Sequence, residues 1–210
     1  MKSVTIGKSN QNEMALNLAH ASSIVYRLVD KKLLHQIYIE KHPLKNVESV
    51  IQSELKKYTT FTDVTNVKKK IIGHSTFLVC CEVTYKNVTV PLVIFMGTVE
   101  YAQWMVDLKI GWKMGAEFAP NTPKVNMHRG FYNSYKSVKE FVHNYVKRNS
   151  YNGQVLVCGH SLGGALACTC TLDLALNGLR PIGFTYGAPR VGDLTFQNAY
   201  KQYRVRLFQY

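Results

Sequence analysis

Residues 155–167 read VLVCGHSLGGALA. The apolar run Val155–Cys158 reads as a buried strand, expected over 154–158. It ends in Gly159-His160-Ser161-Leu162-Gly163, and small residues then begin a helix expected from about Leu162 to Leu176, closed by Asn177-Gly178. Working outward, Phe131, Tyr135, Val138, Val142 and Tyr145 fall at 4-3-4-3 spacing, an amphipathic helix, with Asn152-Gly153 as a turn before the strand. Downstream, IGFTY (182–186) and YRVRLF (203–208) read as two further strands. Alternating strands and helices imply an α/β chain with a mostly parallel central sheet and flanking helices. The stretch 155–179 is apolar enough to resemble a membrane span. Its Gly159, His160, Ser161, Gly163, Gly164 and Asp173 argue for a buried strand and helix instead.

The corner has a chemical reading. A serine hydroxyl is a weak nucleophile and needs position and an adjacent base. A G-x-S-x-G turn between strand and helix supplies position, holding Ser161 at a strained corner above the carboxyl edge of the sheet. Gly159 and Gly163 leave room where side chains would collide, and Gly164, Ala165 and Ala167 let the helix lie close. The helix N-terminus offers free N–H groups, and that of Leu162 is placed to bind an oxyanion. The competing readings are a chance match in a glycine-rich turn and a phosphate loop. The second lacks the Lys-Ser/Thr ending such loops need.

The N-terminal half reads differently. Residues 11–39 and 45–59 have helical spacing, the first with Met14, Leu18, Ile24 and Val25 and the second with Val47, Ile51 and Leu55. TFLVCCEVTY (76–85) and VTVPLVIF (88–95) flank Lys86-Asn87 and read as a β-hairpin, although Pro91 argues against a regular ladder at its position. Residues 115–127, with Gly115, Pro120, Asn121 and Pro123, read as loop.

With 210 residues, 46% hydrophobic and 11% aromatic, the chain is long enough for one globular domain over 1–210 with a real core. The net charge is +13. The lysine clusters at 31–32, 56–57 and 68–70 read either as a solvated surface or as attraction to an anionic membrane. No recognition module supports nucleic-acid binding. The five cysteines, at 80, 81, 158, 168 and 170, are odd in number and adjacent rather than spaced, which favours reduced, buried thiols. No zinc-ligand spacing is present, and no metal or cofactor is expected. The N-terminus carries no apolar stretch of signal-peptide length. The expected location is intracellular, in the cytoplasm or peripheral to a membrane.

Four ordered segments, FMGTVEYAQWMVDL (95–108), MHRGFYNSY (127–135), CGHSLGGALA (158–167) and FTYGAPRVGD (184–193), together resemble the fungal-type class 3 lipase family. The resemblance is clear over roughly 76–210. It implies an α/β-hydrolase fold and hydrolysis of acylglycerols or related esters. It makes Ser161 the nucleophile and Thr98, with Leu162, the oxyanion pair, although Met96 stands where the family has arginine. It places a short lid over 99–104, where Trp104 is either a lid contact or a core anchor. His128 and His160 become supporting residues beside the site; Asp193 is a weak candidate for the triad acid, since in the family this position lies before the catalytic aspartate.

The resemblance also raises a difficulty. The fold's expected order is serine, then aspartate or glutamate, then histidine. The histidines stand at 20, 35, 42, 74, 128, 143 and 160, all before Ser161, and the only acids after it are Asp173 and Asp193. Three explanations stand: a chain truncated before the catalytic Asp and His, with the C-terminal part of the fold missing; a lipase-like domain that binds lipid without turnover; or an upstream histidine, His128 foremost, acting as base. An incomplete sheet would leave an exposed edge and favour aggregation.

Overall fold

The computed structural model describes residues 3–28, 47–72, 76–97 and 111–210. Among these, six strands form one sheet in the order β1-β2-β3-β6-β7-β8. They are β1 (Asp63–Ile72), β2 (Thr76–Tyr85), β3 (Val88–Phe95), β6 (Gln154–His160), β7 (Arg180–Tyr186) and β8 (Arg206–Gln209). Strands β3, β6, β7 and β8 run parallel, while β1 and β2 add antiparallel strands on the N-terminal side. The sheet is therefore mixed, with its parallel part carrying the corner of interest.

Helices cover both faces. On one face α1 (Gln11–Leu28) and α2 (Val47–Tyr58) bury Met14, Leu18, Ile24, Ile51 and Leu55 against Val79, Leu92, Ile94 and Phe184. On the other, α3 (Arg129–Asn149) and α4 (Leu162–Leu176) bury Phe131, Tyr135, Val142, Leu166 and Leu172 against Val93, Phe95 and Val157. Because both faces are covered, β6 is buried from Gln154 to Gly159 and shows no alternation. Every residue of α4 except Ala175 is buried for the same reason.

The helix expected from Leu162 to Leu176 has those limits, and the hairpin turns at Lys86 and Asn87, both at positive φ (49° and 63°), as a tight two-residue hairpin requires. Residues 29–46 lie outside the described ones, so the outer part of the first expected helix is not placed. Pro91 pairs with Glu82 of β2, and the parallel ladder with β6 begins one residue later, at Leu92. Its missing N–H thus falls just before the second ladder.

Four elements lie outside these expectations. Strand β1 was hidden because its lysines disfavour strands and a bulge between Thr65 and Lys68, with Asn66 at φ 49°, breaks its alternation. The segment expected to be loop contains a small antiparallel pair, β4 (Trp112–Ala116) and β5 (Val125–His128). Finally, α5 (Leu194–Gln202) follows Asp193, whose side chain accepts from the Thr195 N–H and caps it.

Candidate active site

Strand β6 delivers Ser161 to the start of α4, where it takes φ 54°, ψ −124°. Such a conformation costs on the order of 1–3 kcal/mol in a residue with a Cβ and survives only when neighbours fix it. Here the fixing groups are main-chain. The Ser161 N–H donates to the Tyr186 carbonyl at 2.9 Å, and the Ser161 carbonyl accepts from the Ala165 N–H at 3.1 Å. Glycines make the bend possible: a Cβ on Gly159 would strike Gly163 and come within 2.9 Å of the Gly164 nitrogen, while one on Gly163 would strike the Phe95 carbonyl. The corner is a close packing of three backbone segments.

The Ser161 hydroxyl is shielded from solvent and, among the described residues, has no hydrogen-bond partner. A buried hydroxyl without a partner costs about 1–3 kcal/mol. Leu162 is buried and is the first residue of α4, so its N–H has no acceptor within the helix. A reacting hydroxyl and an open main-chain donor thus sit on consecutive residues at the positive end of a helix. Thr98 and the segment 99–104, Trp104 included, lie outside the described residues.

The other expected residues have different surroundings. His128 is the N-cap of α3; its Nδ1 accepts from the Gly130 N–H at 3.2 Å, and its ring packs on Phe131. The His160 ring lies edge-on to Tyr26, with centroids 5.6 Å apart. Neither histidine bonds the Ser161 hydroxyl. Asp193 accepts from the Thr195 N–H and hydroxyl at 2.7 and 2.6 Å and from Asn126 at 3.0 Å. These bonds, that from Thr195 first, hold its carboxyl below the ordinary aspartate value. A cleft of about 920 Å³ runs beside α5 and β8, lined by Asp193, Phe196, Tyr200 and Leu207 but by none of Ser161, Leu162 or His160. Among the described residues no group of three His, Cys, Asp or Glu side chains could hold a metal ion.

Two features had no local signal in the sequence. Tyr26 reaches the end of β6, where its hydroxyl lies 3.5 Å from the His160 carbonyl, a partner 134 positions away. On α4 itself, the fully buried Asp173 accepts from Tyr135 (2.5 Å), Lys139 (2.8 Å), His143 (2.5 Å) and Asn177 (3.0 Å). Spacing within α3 places Tyr135, Lys139 and His143 one turn apart, but only the packing of α3 on α4 brings Asp173 to them. All five cysteines are buried and unbonded. No described helix is long and apolar enough to cross a membrane.

Residues 92–209 match the family model described as "Lipase (class 3)". A lipase of Rhizomucor miehei is 33% identical over 116 residues, covering 50% of this chain and 30% of that protein. Phospholipase A1-Igamma1 of Arabidopsis thaliana is 29% identical over 147 residues, covering 56% of this chain and 28% of that protein. The chain thus spans roughly 30% of the length of these relatives. Among solved structures, the lipase from Rhizopus microsporus var. chinensis superposes with a TM-score of 0.62 at 20% identity, covering 98% of this chain and 67% of that one. Lip2 lipase from Yarrowia lipolytica does so with 0.65 at 17%, covering 99% and 72%. These likenesses establish the α/β-hydrolase fold.

Proposed function

Because the chain belongs to the class 3 lipase family, we propose that it is a serine ester hydrolase acting on acylglycerol-type lipids through an acyl-enzyme intermediate. The observation that carries this reading is Ser161 itself: a buried hydroxyl with no partner among the described residues, in a strained left-handed conformation, one residue before a helix N-terminus. No structural need explains that combination. A glycine would make the turn without strain, and an alanine would leave no orphan hydroxyl.

In this reading the Ser161 oxygen attacks the acyl carbonyl. The developing oxyanion accepts from the Leu162 N–H and, by the family resemblance, from that of Thr98; one such donor is commonly worth about 10²–10³ in rate. The ester C–O bond then breaks, the alcohol leaves carrying the proton that the Ser161 hydroxyl gave up, and water hydrolyses the acyl-enzyme to the carboxylic acid and the restored Ser161 hydroxyl. His128 and His160 support the backbone on either side rather than transfer protons, and Asp193 acts as a helix cap. We assign residues 1–210 to one domain. The five buried thiols suit a reducing compartment. The net charge of +13 suits peripheral contact with an anionic membrane, with lipid as the partner and nucleic acid without a role.

One observation favours a second reading. Among the described residues no base bonds Ser161, so the domain would bind lipid without turning it over. A fluorophosphonate probe separates the two on the folded chain, with and without lipid vesicles. Covalent labelling that disappears in Ser161→Ala supports the hydrolase; absence of labelling in both conditions supports the binder.

A further inference from the structure

Strand β1 closes the sheet on its N-terminal side, and among the described residues β2 is its only strand partner. The pairs Lys70↔Leu78, Leu78↔Phe95 and Phe95↔Gly159 put Lys70 in the same cross-strand row as Gly159, two residues before Ser161. Three strand spacings separate the two, about 14 Å. The basic run Lys68-Lys69-Lys70 therefore ends level with the serine corner.

A bulge decides which way these lysines face. Thr65 pairs with Glu82 and Lys68 with Cys80, so Asn66 and Val67 together stand opposite Cys81. Directly paired residues share a face, and Leu78 and Cys80 belong to the core under α3 and α4. Lys68 and Lys70 thus project on the α3 side, where both are exposed. Without the extra residue Lys68 would pair with Val79, which packs on the α2 side, and Lys70 would turn with it. The bulge is pinned. Asn66 takes φ 49°, its carbonyl accepts from the Tyr145 hydroxyl of α3 at 2.9 Å, and its side-chain amide donates to the buried Glu82.

Charge is balanced on one side and left open on the other. Lys69, on the α2 side, stands 3.9 Å from Glu48, and Lys56 stands 2.7 Å from Asp63. Lys68 and Lys70 have no ion pair among the described residues. Helix α3 adds exposed Lys136, Lys147 and Arg148 against Glu140, its one acid.

We infer that this edge is a docking surface for an anionic lipid bilayer, held through Lys68 and Lys70, which brings the serine corner to the level of the headgroups. Charge complementarity selects the occupant, since each basic side chain near such a surface strengthens binding about fivefold. The inference deepens the proposed membrane contact. Its catalytic meaning rests on the hydrolase reading of Ser161, and the docking itself does not.

The test is co-sedimentation of the full chain with vesicles of phosphatidylcholine, alone or mixed with phosphatidylserine, with binding to a DNA duplex measured alongside. The chain should bind the mixed vesicles and not the neutral ones, and salt should weaken binding. The double variant Lys68→Gln, Lys70→Gln should bind roughly 30-fold more weakly, while Lys68→Arg, Lys70→Arg should bind as the unaltered chain does. Lys56→Gln, Lys86→Gln removes the same formal charge at ion-paired positions and should change binding by no more than about threefold. Mixed vesicles should also slow amide exchange over residues 68–72 and leave the turn at Asn152-Gly153, at the opposite end of the sheet, unchanged. The inference fails if mixed vesicles are not bound, if both glutamine pairs lose binding equally, or if only the DNA is bound. It fails too if Lys68→Gln, Lys70→Gln self-associates yet binds vesicles as before, because the lysines then only guard an open strand edge. Fluorophosphonate labelling of Ser161 separates the two readings: vesicle binding without labelling overturns the hydrolase and leaves the docking surface, and labelling without vesicle binding overturns this inference alone.

Discussion

Gly163 lies against the main chain of Phe95, so close that a Cβ there would strike the Phe95 carbonyl oxygen and stand 2.8 Å from the Met96 carbonyl carbon. Both obstacles are backbone at the end of a central strand, which cannot rotate away. Gly163→Ala must therefore separate α4 from β3. Overpacking of this kind costs about 3 kcal/mol, at the upper end of the usual range. For a chain of this length that is a fall in Tm of roughly 6–12 °C. Thermal unfolding followed by circular dichroism checks it. Gly178→Ala makes a useful contrast, since no atom lies within 4 Å of a Cβ there and only the cost of φ 79° applies.

Asp173 is fully buried, and four donors converge on its carboxylate, including the Lys139 ammonium at 2.8 Å. Lys139 also donates to the Phe118 carbonyl, which ties the segment before β5 to α3. Replacing the carboxylate by an amide presents an NH2 group to donors and leaves Lys139 without its counter-charge. Asp173→Asn should lower stability by about 3 kcal/mol, the usual cost of removing one member of a buried pair. Chemical denaturation should show the loss in the midpoint with an unchanged slope. A variant as stable as the original would mean that the cluster can relax to admit water.

What could be read from the sequence follows from where the controlling contacts lie. The corner at Ser161 and the helix from Leu162 to Leu176 depend on residues adjacent in the chain, so glycine spacing and apolar runs reveal them. The hairpin at Lys86-Asn87 is equally local. Strand β1 was lost because its surface lysines obscure a pattern already broken by the bulge at Asn66. The pair β4 and β5 was lost because the turn residues between the strands dominate the local signal. Other contacts are distant in sequence, Tyr26 with His160 and Asp173 with Tyr135 and His143. No spacing rule connects them. Asp193, a weak acid candidate in the sequence, bonds Thr195 and Asn126 as a helix cap, and of these two only Thr195 is its neighbour in the chain.

The pH dependence of stability has a definite sign on the acid side. Hydrogen bonds from Thr195 and then Asn126 hold Asp193 below its ordinary 3.8. Bonds from Tyr85 and then Thr60, with Lys86 adding charge, hold Glu13 below 4.5. A carboxyl whose folded value is depressed contributes stability that is complete above its unfolded value and is lost as pH falls through the folded one. Both groups are partly exposed, so solvent screens the effect and it is small. Tm should be level above about pH 5 and decline below about pH 4. The double variant Glu13→Gln, Asp193→Asn should start from a lower Tm and decline less steeply.

The five thiols are all buried, and burial raises each above the ordinary cysteine value, Cys158 and Cys168 to about 12. Thiolate is the reactive form, so both access and ionisation oppose modification. Ellman's reagent at pH 8 should titrate close to none of the five in the folded chain and all five in denaturant. Rapid reaction of one thiol under native conditions would identify a region that opens locally at low cost.

Ser161 offers the sharpest separation of stability from chemistry. Its hydroxyl is buried without a partner among the described residues, and its backbone is held at φ 54°. Removing the oxygen relieves the first penalty, so Ser161→Ala should raise stability by about 1 kcal/mol, or roughly 2–4 °C in Tm. Ser161→Gly relieves the backbone strain as well and should not fall below Ser161→Ala, although glycine's greater freedom in the unfolded chain offsets part of the gain. Both variants should lose fluorophosphonate labelling completely. A serine whose removal stabilises the fold while abolishing its reactivity is held there for chemistry, in line with the usual opposition between stability and activity. If both variants instead melt several degrees lower, the hydroxyl is part of the packing, and the strain at the corner has a structural origin.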